Sequence, residues 1–154
     1  MKQTKVNFNI DVLEDIQKQA KGYVARVGIL GGDANKSHVD GITNSELGVI
    51  HEFGNDKMPI RSFLRMPIET HKKEIMKSME GTKVRDAFAK KDFVRMFHLL
   101  GQKARAVVIE AFETGGFGHW PDITEATKAA KGSSAILVDT AQLKNAISED
   151  VVKT

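Results

Sequence analysis

At 154 residues, with 41% hydrophobic and 28% charged side chains, the chain has the size and balance of one globular domain, not of a disordered tail. No apolar run approaches bilayer length, and Met1-Lys2-Gln3-Thr4-Lys5 leads into polar alternation instead of a signal core, so the expectation is a protein made in a cytoplasm with no membrane partner. The lack of cysteine excludes disulfides and Cys-based zinc or redox chemistry, and a net charge of +3 is too mild to name a partner.

Val6, Phe8 and Ile10 alternate with polar residues, the pattern of a half-buried strand. Asp11 and Glu14 have capping-box spacing, and Val12, Leu13, Ile16 and Ala20 form one face of a short helix that stops before Gly22. Tyr23 to Leu30 is almost continuously apolar and rich in β-branched residues, which predicts an interior strand. The polar, glycine-rich stretch Gly31 to Gly41 comes next as a loop. Gly31-Gly32 after a strand suggests phosphate binding, but the loop has neither the G-x-G-x-x-G spacing nor a G-K-[ST] ending, so no triphosphate cradle is expected.

Glu46 to Arg65 is the most specified stretch. Thr43 and Glu46 form a capping-box pair; Leu47, Ile50 and Phe53 recur on one face of the helix begun there, and Gly54 ends it. Pro59 pushes Met58 toward an extended conformation, so the chain enters Arg61-Ser62-Phe63-Leu64-Arg65 as a loop. Pro67 then suits the first turn of a helix whose stripe is Ile68, Ile75, Met76 and Met79 and whose stop is Gly81. A further helix is read over Val84 to Ala89. The longest runs from about Asp92 to Phe112, with Phe93, Phe97, Leu100, Ala104, Val107 and Ala111 at core-packing spacing and Gly101 allowing a close approach.

Gly115 to Pro121 breaks that helix and is the most flexible segment by composition. Trp120 within it is either an interface anchor or a cover for the end of the core. Asp122 to Ala130 is weakly helical, Lys128 to Ser134 is a surface turn, and Ile136-Leu137-Val138 is a short buried piece. Asp139 or Thr140 caps a last helix through Ile147, and Val151 and Val152 add an edge strand.

Two blocks now stand out: Ile50-His51-Glu52-Phe53-Gly54 with Met58-Pro59-Ile60-Arg61-Ser62-Phe63-Leu64-Arg65, and Leu137-Val138-Asp139-Thr140-Ala141-Gln142-Leu143-Lys144-Asn145-Ala146-Ile147. The first resembles the (N/H)-E-F-G-T … I-P-A-R-P-F-L-R signature, and the second the L-x-D-T-G-Q-L-R-N-S-I ending, of small bacteriophage tail-completion and virion-morphogenesis proteins. Trp120-Pro121, Thr124 and Lys128 fit between them, and the resemblance spans residues 23 to 148. Ser62 stands where that family usually has proline, Ala141 where it has glycine, and Ala146 where it has serine.

No chemistry competes with this reading. His51-Glu52 is not H-E-x-x-H, because Asn55 stands four residues after His51; His71 and His98 sit singly on helices, and His38 and His119 in loops without a companion at ligand spacing. No nucleophile elbow occurs. Neither a catalytic residue nor a metal site nor a cofactor is expected, and the chain is read as a non-enzyme. Between Lys83 and Arg105, seven basic residues face only Asp86 and Asp92. Lys90, Lys91 and Arg95 within that run are candidate phosphate contacts, against the alternative of a solvated helix face. The Arg61 to Arg65 block has two readings of its own: Phe63 and Leu64 pin the loop to the core while the arginines stay solvated, or the block is a subunit interface.

The element order implies an α+β fold, a small mixed or antiparallel sheet packed by helices. The resemblance implies a structural virion component at the head-tail junction or tail end. There it would be a tail completion, terminator or neck protein that forms a ring with copies of itself, against tail-tube or connector proteins, with DNA at most passing through the channel. On that implication Arg61, Phe63, Arg65 and Trp120 are the candidate subunit contacts, and the glycine-rich loops order on docking. The alternative is a nucleic-acid-binding module using residues 83–105.

Overall fold

The computed structural model describes residues 10–37, 41–56, 58–122 and 141–154. The readings at Val6 and Phe8, at His38, over 123–138 and at the Asp139 and Thr140 caps lie outside them. The fold is α+β. Helix α1 (Ile10–Ala20) leads into strand β1 (Tyr23–Ile29), a 3-10 turn over Gly31–Asn35 and helix α2 (Asn44–Phe53). Helices α3 (Arg65–Thr70), α4 (Lys72–Lys77), α5 (Thr82–Ala89) and α6 (Phe93–Glu113) come next, and α7 (Ala141–Asn145) precedes strand β2 (Ile147–Lys153). Ile10, read as strand, opens α1, and Asp11 lies inside that helix instead of capping it.

Among the described residues the sheet has two antiparallel strands, with Tyr23 opposite Lys153 and Ile29 opposite Ile147. Ile147 therefore begins the strand instead of ending the helix before it. Helix α6 packs against both strands. This is the core packing that its heptad-like spacing predicts: Phe93, Ala104, Val107 and Ala111 are buried, and so are Val108 and Phe112. Asp92 caps the helix by accepting the Arg95 N–H at 3.0 Å. Gly101 admits the Glu149 side chain, since a Cβ there would lie 2.9 Å from the carboxylate.

Strand β1 is not the doubly buried strand that its apolar run suggests. Val24 and Arg26 are exposed, and Arg26 reaches across the outer face to the Asp150 carboxylate at 2.8 and 2.5 Å. The charged residue marks the wet face, and the valine beside it is simply left on that face.

The helix expected from Pro67 to Met79 is broken at His71 into α3 and α4. Thr70 Oγ1 donates to the Met66 carbonyl at 2.8 Å, and His71 Nδ1 lies 3.1 Å from the Pro67 carbonyl, so side chains compete for acceptors of the preceding turn. Ile75 stays buried, whereas Met76, placed on the apolar stripe, is exposed.

The main core joins Phe63, Val108, Phe112, Trp120, Leu143 and Ile147. Phe63 and Phe112 pack with ring centroids 5.2 Å apart, and Trp120 meets Phe112 edge to face at 5.9 Å. Among the described residues, no helix is long and apolar enough to cross a membrane.

Candidate functional site, the α2–α3 groove

Thr43 and Glu46 form the expected capping box: the Glu46 N–H donates to Thr43 Oγ1 at 3.2 Å, and the Thr43 N–H to Glu46 Oε2 at 2.9 Å. The bonds that the Thr43 N–H and hydroxyl donate to Glu46 Oε2 hold the Glu46 carboxyl below its ordinary range. The buried face of α2, however, is Asn44, Gly48, His51 and Glu52, and Phe53 is 58% exposed. The reason is a close approach. At Gly48 a Cβ would lie 2.5 Å from Ile29 Cδ1 and 3.5 Å from Phe63 Cζ, so α2 lies on β1 through its glycine and turns Val49 and Phe53 outward. The loop after the helix is compact. Gly54 has φ +72, Asn55 and Met58 exchange backbone hydrogen bonds, and the Arg61 N–H returns to the His51 carbonyl at 2.8 Å.

Glu52 fixes the entry into α3. Its carboxylate is buried, with Oε1 accepting from Ser62 Oγ at 2.7 Å and the Arg65 N–H at 3.2 Å. Oε2 accepts from the Phe63 and Leu64 amides, both at 3.0 Å. Ser62 Oγ in turn accepts the Met66 N–H at 2.9 Å. A helix start leaves its first amides without intrahelical partners. Here Leu64 and Arg65 go to Glu52, Met66 goes to Ser62, and Pro67 has no N–H to satisfy. In the sequence Glu52 stands out as half of a failed zinc motif and as the acid of the Glu-Phe-Gly block, and no local signal gives it this role.

Three of the four residues expected as subunit contacts are turned into the chain. Phe63 is 1% exposed in the core. Arg61 is buried, and its guanidinium donates to the Pro121 and Asp122 carbonyls at 3.1 and 3.3 Å. Burial pulls this guanidinium below its ordinary value, and the Asp122 carboxylate opposes the shift. Trp120 is buried and donates from Nε1 to the Ser62 carbonyl at 3.1 Å, so it covers the core and does not stand out as an anchor. Only Arg65 is exposed, 3.7 Å from the Glu52 carboxylate and 5.4 Å from the centre of the Phe53 ring.

The described parts of the glycine-rich segments are tied to the rest of the chain by hydrogen bonds. Gly115 and Gly116 have φ +62 and +66; the Gly116 N–H bonds to Ala111, the Gly118 N–H to Thr114 and the Trp120 N–H to Gly115. Within Gly31 to Gly41, the Asp33 carbonyl accepts from the Asn44 amide at 2.7 Å, and the Ala34 carbonyl from Ser45 Oγ at 3.0 Å.

What remains on this surface is an open groove of about 570 Å³ between α2 and α3. Ile29, Val49, Phe53, Leu64 and Ile68 line it, Glu52 lies behind it, and Arg65 and Glu69 stand on its rim. A second hollow runs along the other side of Val49, between Ile42 and Glu46. The groove is lined mostly by apolar side chains, with Ser45, Glu52, Arg65 and Glu69 as its polar members. Among the described residues, no group of three or more His, Asp or Glu side chains could hold a metal ion.

The basic run is divided among several duties. Lys91 pairs with Asp15 at 3.1 Å and Lys103 with Glu74 at 2.5 Å, while Arg85 and Arg105 donate to backbone carbonyls of Glu80 and Ile147. Lys90 and Arg95 are exposed at the α5–α6 corner. No family model matches the chain, and neither a curated protein nor a solved structure is detectably similar to it.

Proposed function

We propose that the chain is a structural assembly protein of a tailed bacteriophage, acting at the head-tail junction or tail end as a ring of identical copies. The observation that carries this reading is the fate of the block that resembles tail-completion proteins. Through Glu52, the Glu-Phe-Gly and Arg-x-Phe-Leu-Arg elements become one rigid unit, and that unit leaves Val49, Phe53 and Ile60 each more than half exposed beside an apolar groove. Large exposed apolar side chains clustered on a preorganised surface are the mark of a protein–protein contact.

The test is negative-stain electron microscopy of a lysate from a phage in which this reading frame is disrupted. Full heads beside unjoined tails are expected for a completion or neck role, and overlong tails for a terminator. Intact, infectious particles would reject the proposal. The nucleic-acid alternative draws on Lys90, Lys91 and Arg95, but Lys91 is already paired with Asp15. That alternative requires affinity of the isolated chain for DNA to fall by about one log unit per log of salt for each phosphate neutralised.

A further inference from the structure

The geometry points to a second copy of this chain as the occupant of the α2–α3 groove, docked head to tail through its α5–α6 corner. This inference rests on the ring reading and names the two surfaces that the ring would use. At the corner, Phe88 and Val94 are each 44% exposed on either side of the buried Phe93. The corner and the groove lie at opposite ends of β1. Tyr23, the first residue of the strand, packs against Phe93 and Phe97, whereas Ile29, the last, packs under Gly48 of α2. Seven strand residues separate the patches by about 20 Å. Two different patches at opposite ends of one subunit are what a heterologous, ring-closing contact requires.

Charge decides the pairing. At the groove the Arg65 guanidinium is offset by Glu52, which leaves the exposed carboxylate of Glu69 on the rim, with that of Glu46 on the adjoining hollow across Val49. At the corner Lys91 is offset by Asp15, and the exposed Arg85, Lys90 and Arg95 outnumber the exposed Asp86 and Asp92, which leaves a net positive charge. Groove against groove would oppose carboxylates, and corner against corner would oppose cations. Groove against corner brings acid to base around apolar centres, Val49 and Phe53 on one side and Phe88 and Val94 on the other.

The absence of native cysteine allows a direct test. Val49→Cys and Val94→Cys replace exposed side chains, and circular dichroism and thermal melting would verify that each variant keeps the wild-type fold. Each single variant, the double variant and a mixture of the two single variants are treated at millimolar protein with a short bismaleimide. The proposal expects a ladder of dimers, trimers and larger species from the double variant, dimers only from the mixture, and monomers from each single variant. Efficient linking of the Val49→Cys variant to itself would overturn the head-to-tail arrangement in favour of a symmetric pair. No ladder from the double variant would overturn the assignment of these patches. That failure is separate from failure of the assembly reading, which the tail morphology of the disrupted phage judges on its own.

Discussion

Glu52 accepts four hydrogen bonds from residues ten to thirteen positions ahead of it, and so converts a loop into a fixed start for α3. Glu52→Gln presents an amide N–H₂ where donors already converge. It is expected to lower unfolding free energy in urea by about 1–3 kcal/mol, and Glu52→Ala, which leaves all four donors without an acceptor, by more. Wild-type midpoints for both variants would show that the carboxylate does not hold the loop. Ser62 sits where the resembled signature has proline, and its hydroxyl both donates to Glu52 and accepts from Met66. The departure from the signature therefore brings its own cap.

At the scale of elements, the turn after α6 carries Trp120 back onto the core by passing the indole over Gly116, where a Cβ would lie 2.3 Å from the ring. Gly116→Ala adds left-handed strain and displaces the indole. A loss of about 2–4 kcal/mol and a red shift of the fluorescence of the sole tryptophan are expected; unchanged emission would contradict this packing. The strand pair gives a pH prediction. The hydrogen bonds from Arg26 hold Asp150 below its ordinary 3.8, and the bond from Lys103 holds Glu74 below its ordinary 4.5. A carboxylate whose folded value is depressed stabilises the fold above its unfolded value, and that contribution is lost as pH falls through the folded value. Acid unfolding of Arg26→Gln should therefore begin at a higher pH than in wild type. The effect is small and shrinks with added salt, because the pair is exposed. Identical acid-unfolding curves at low salt would show that the pair contributes nothing.

For the whole molecule, the large exposed apolar side chains among the described residues include Val49, Phe53 and Ile60 beside the groove and Phe88 and Val94 at the corner, with Val24 on the outer strand face and Met76 on α4; on the assembly proposal the first two groups serve association. Phe53→Ser should change unfolding free energy by no more than about 0.5 kcal/mol. In a phage it should nevertheless leave heads and tails unjoined or tails of abnormal length. A variant that assembles infectious particles at the wild-type yield would remove Phe53 from the contact. Phe63→Ala, by contrast, is expected to destabilise the fold by about 3–5 kcal/mol, because the ring is fully buried against Phe112. Failed assembly of that variant would therefore say little about an interface.

Local chemistry made several elements legible in the sequence. The Thr43 and Glu46 capping box, the Gly54 stop, the start of the long helix near Asp92, its periodicity and the terminal strand around Val151 were read from local pattern, and all are present. The break at His71 and the outward turn of Val24 and Phe53 were not legible. Each depends on a competitor that periodicity does not weigh: a side chain taking a backbone acceptor, an arginine marking the wet face, or a glycine deciding which side of α2 approaches β1. The candidate site shows the same division. The amino-acid sequence by itself determined that Glu52 to Arg65 is a specified block of arginines, phenylalanines and a proline ending in a helix start. Only the tertiary structure decided that Arg61, Phe63 and Trp120 face inward while Val49 and Phe53 face out, because burial depends on partners distant in the chain: Pro121 and Asp122 for Arg61, Phe112 for Phe63, Ser62 for Trp120, and Ile29 beneath Gly48 for the turn of α2. Glu52 meets its amides, and Trp120 the Ser62 carbonyl, only once the chain has folded back on itself.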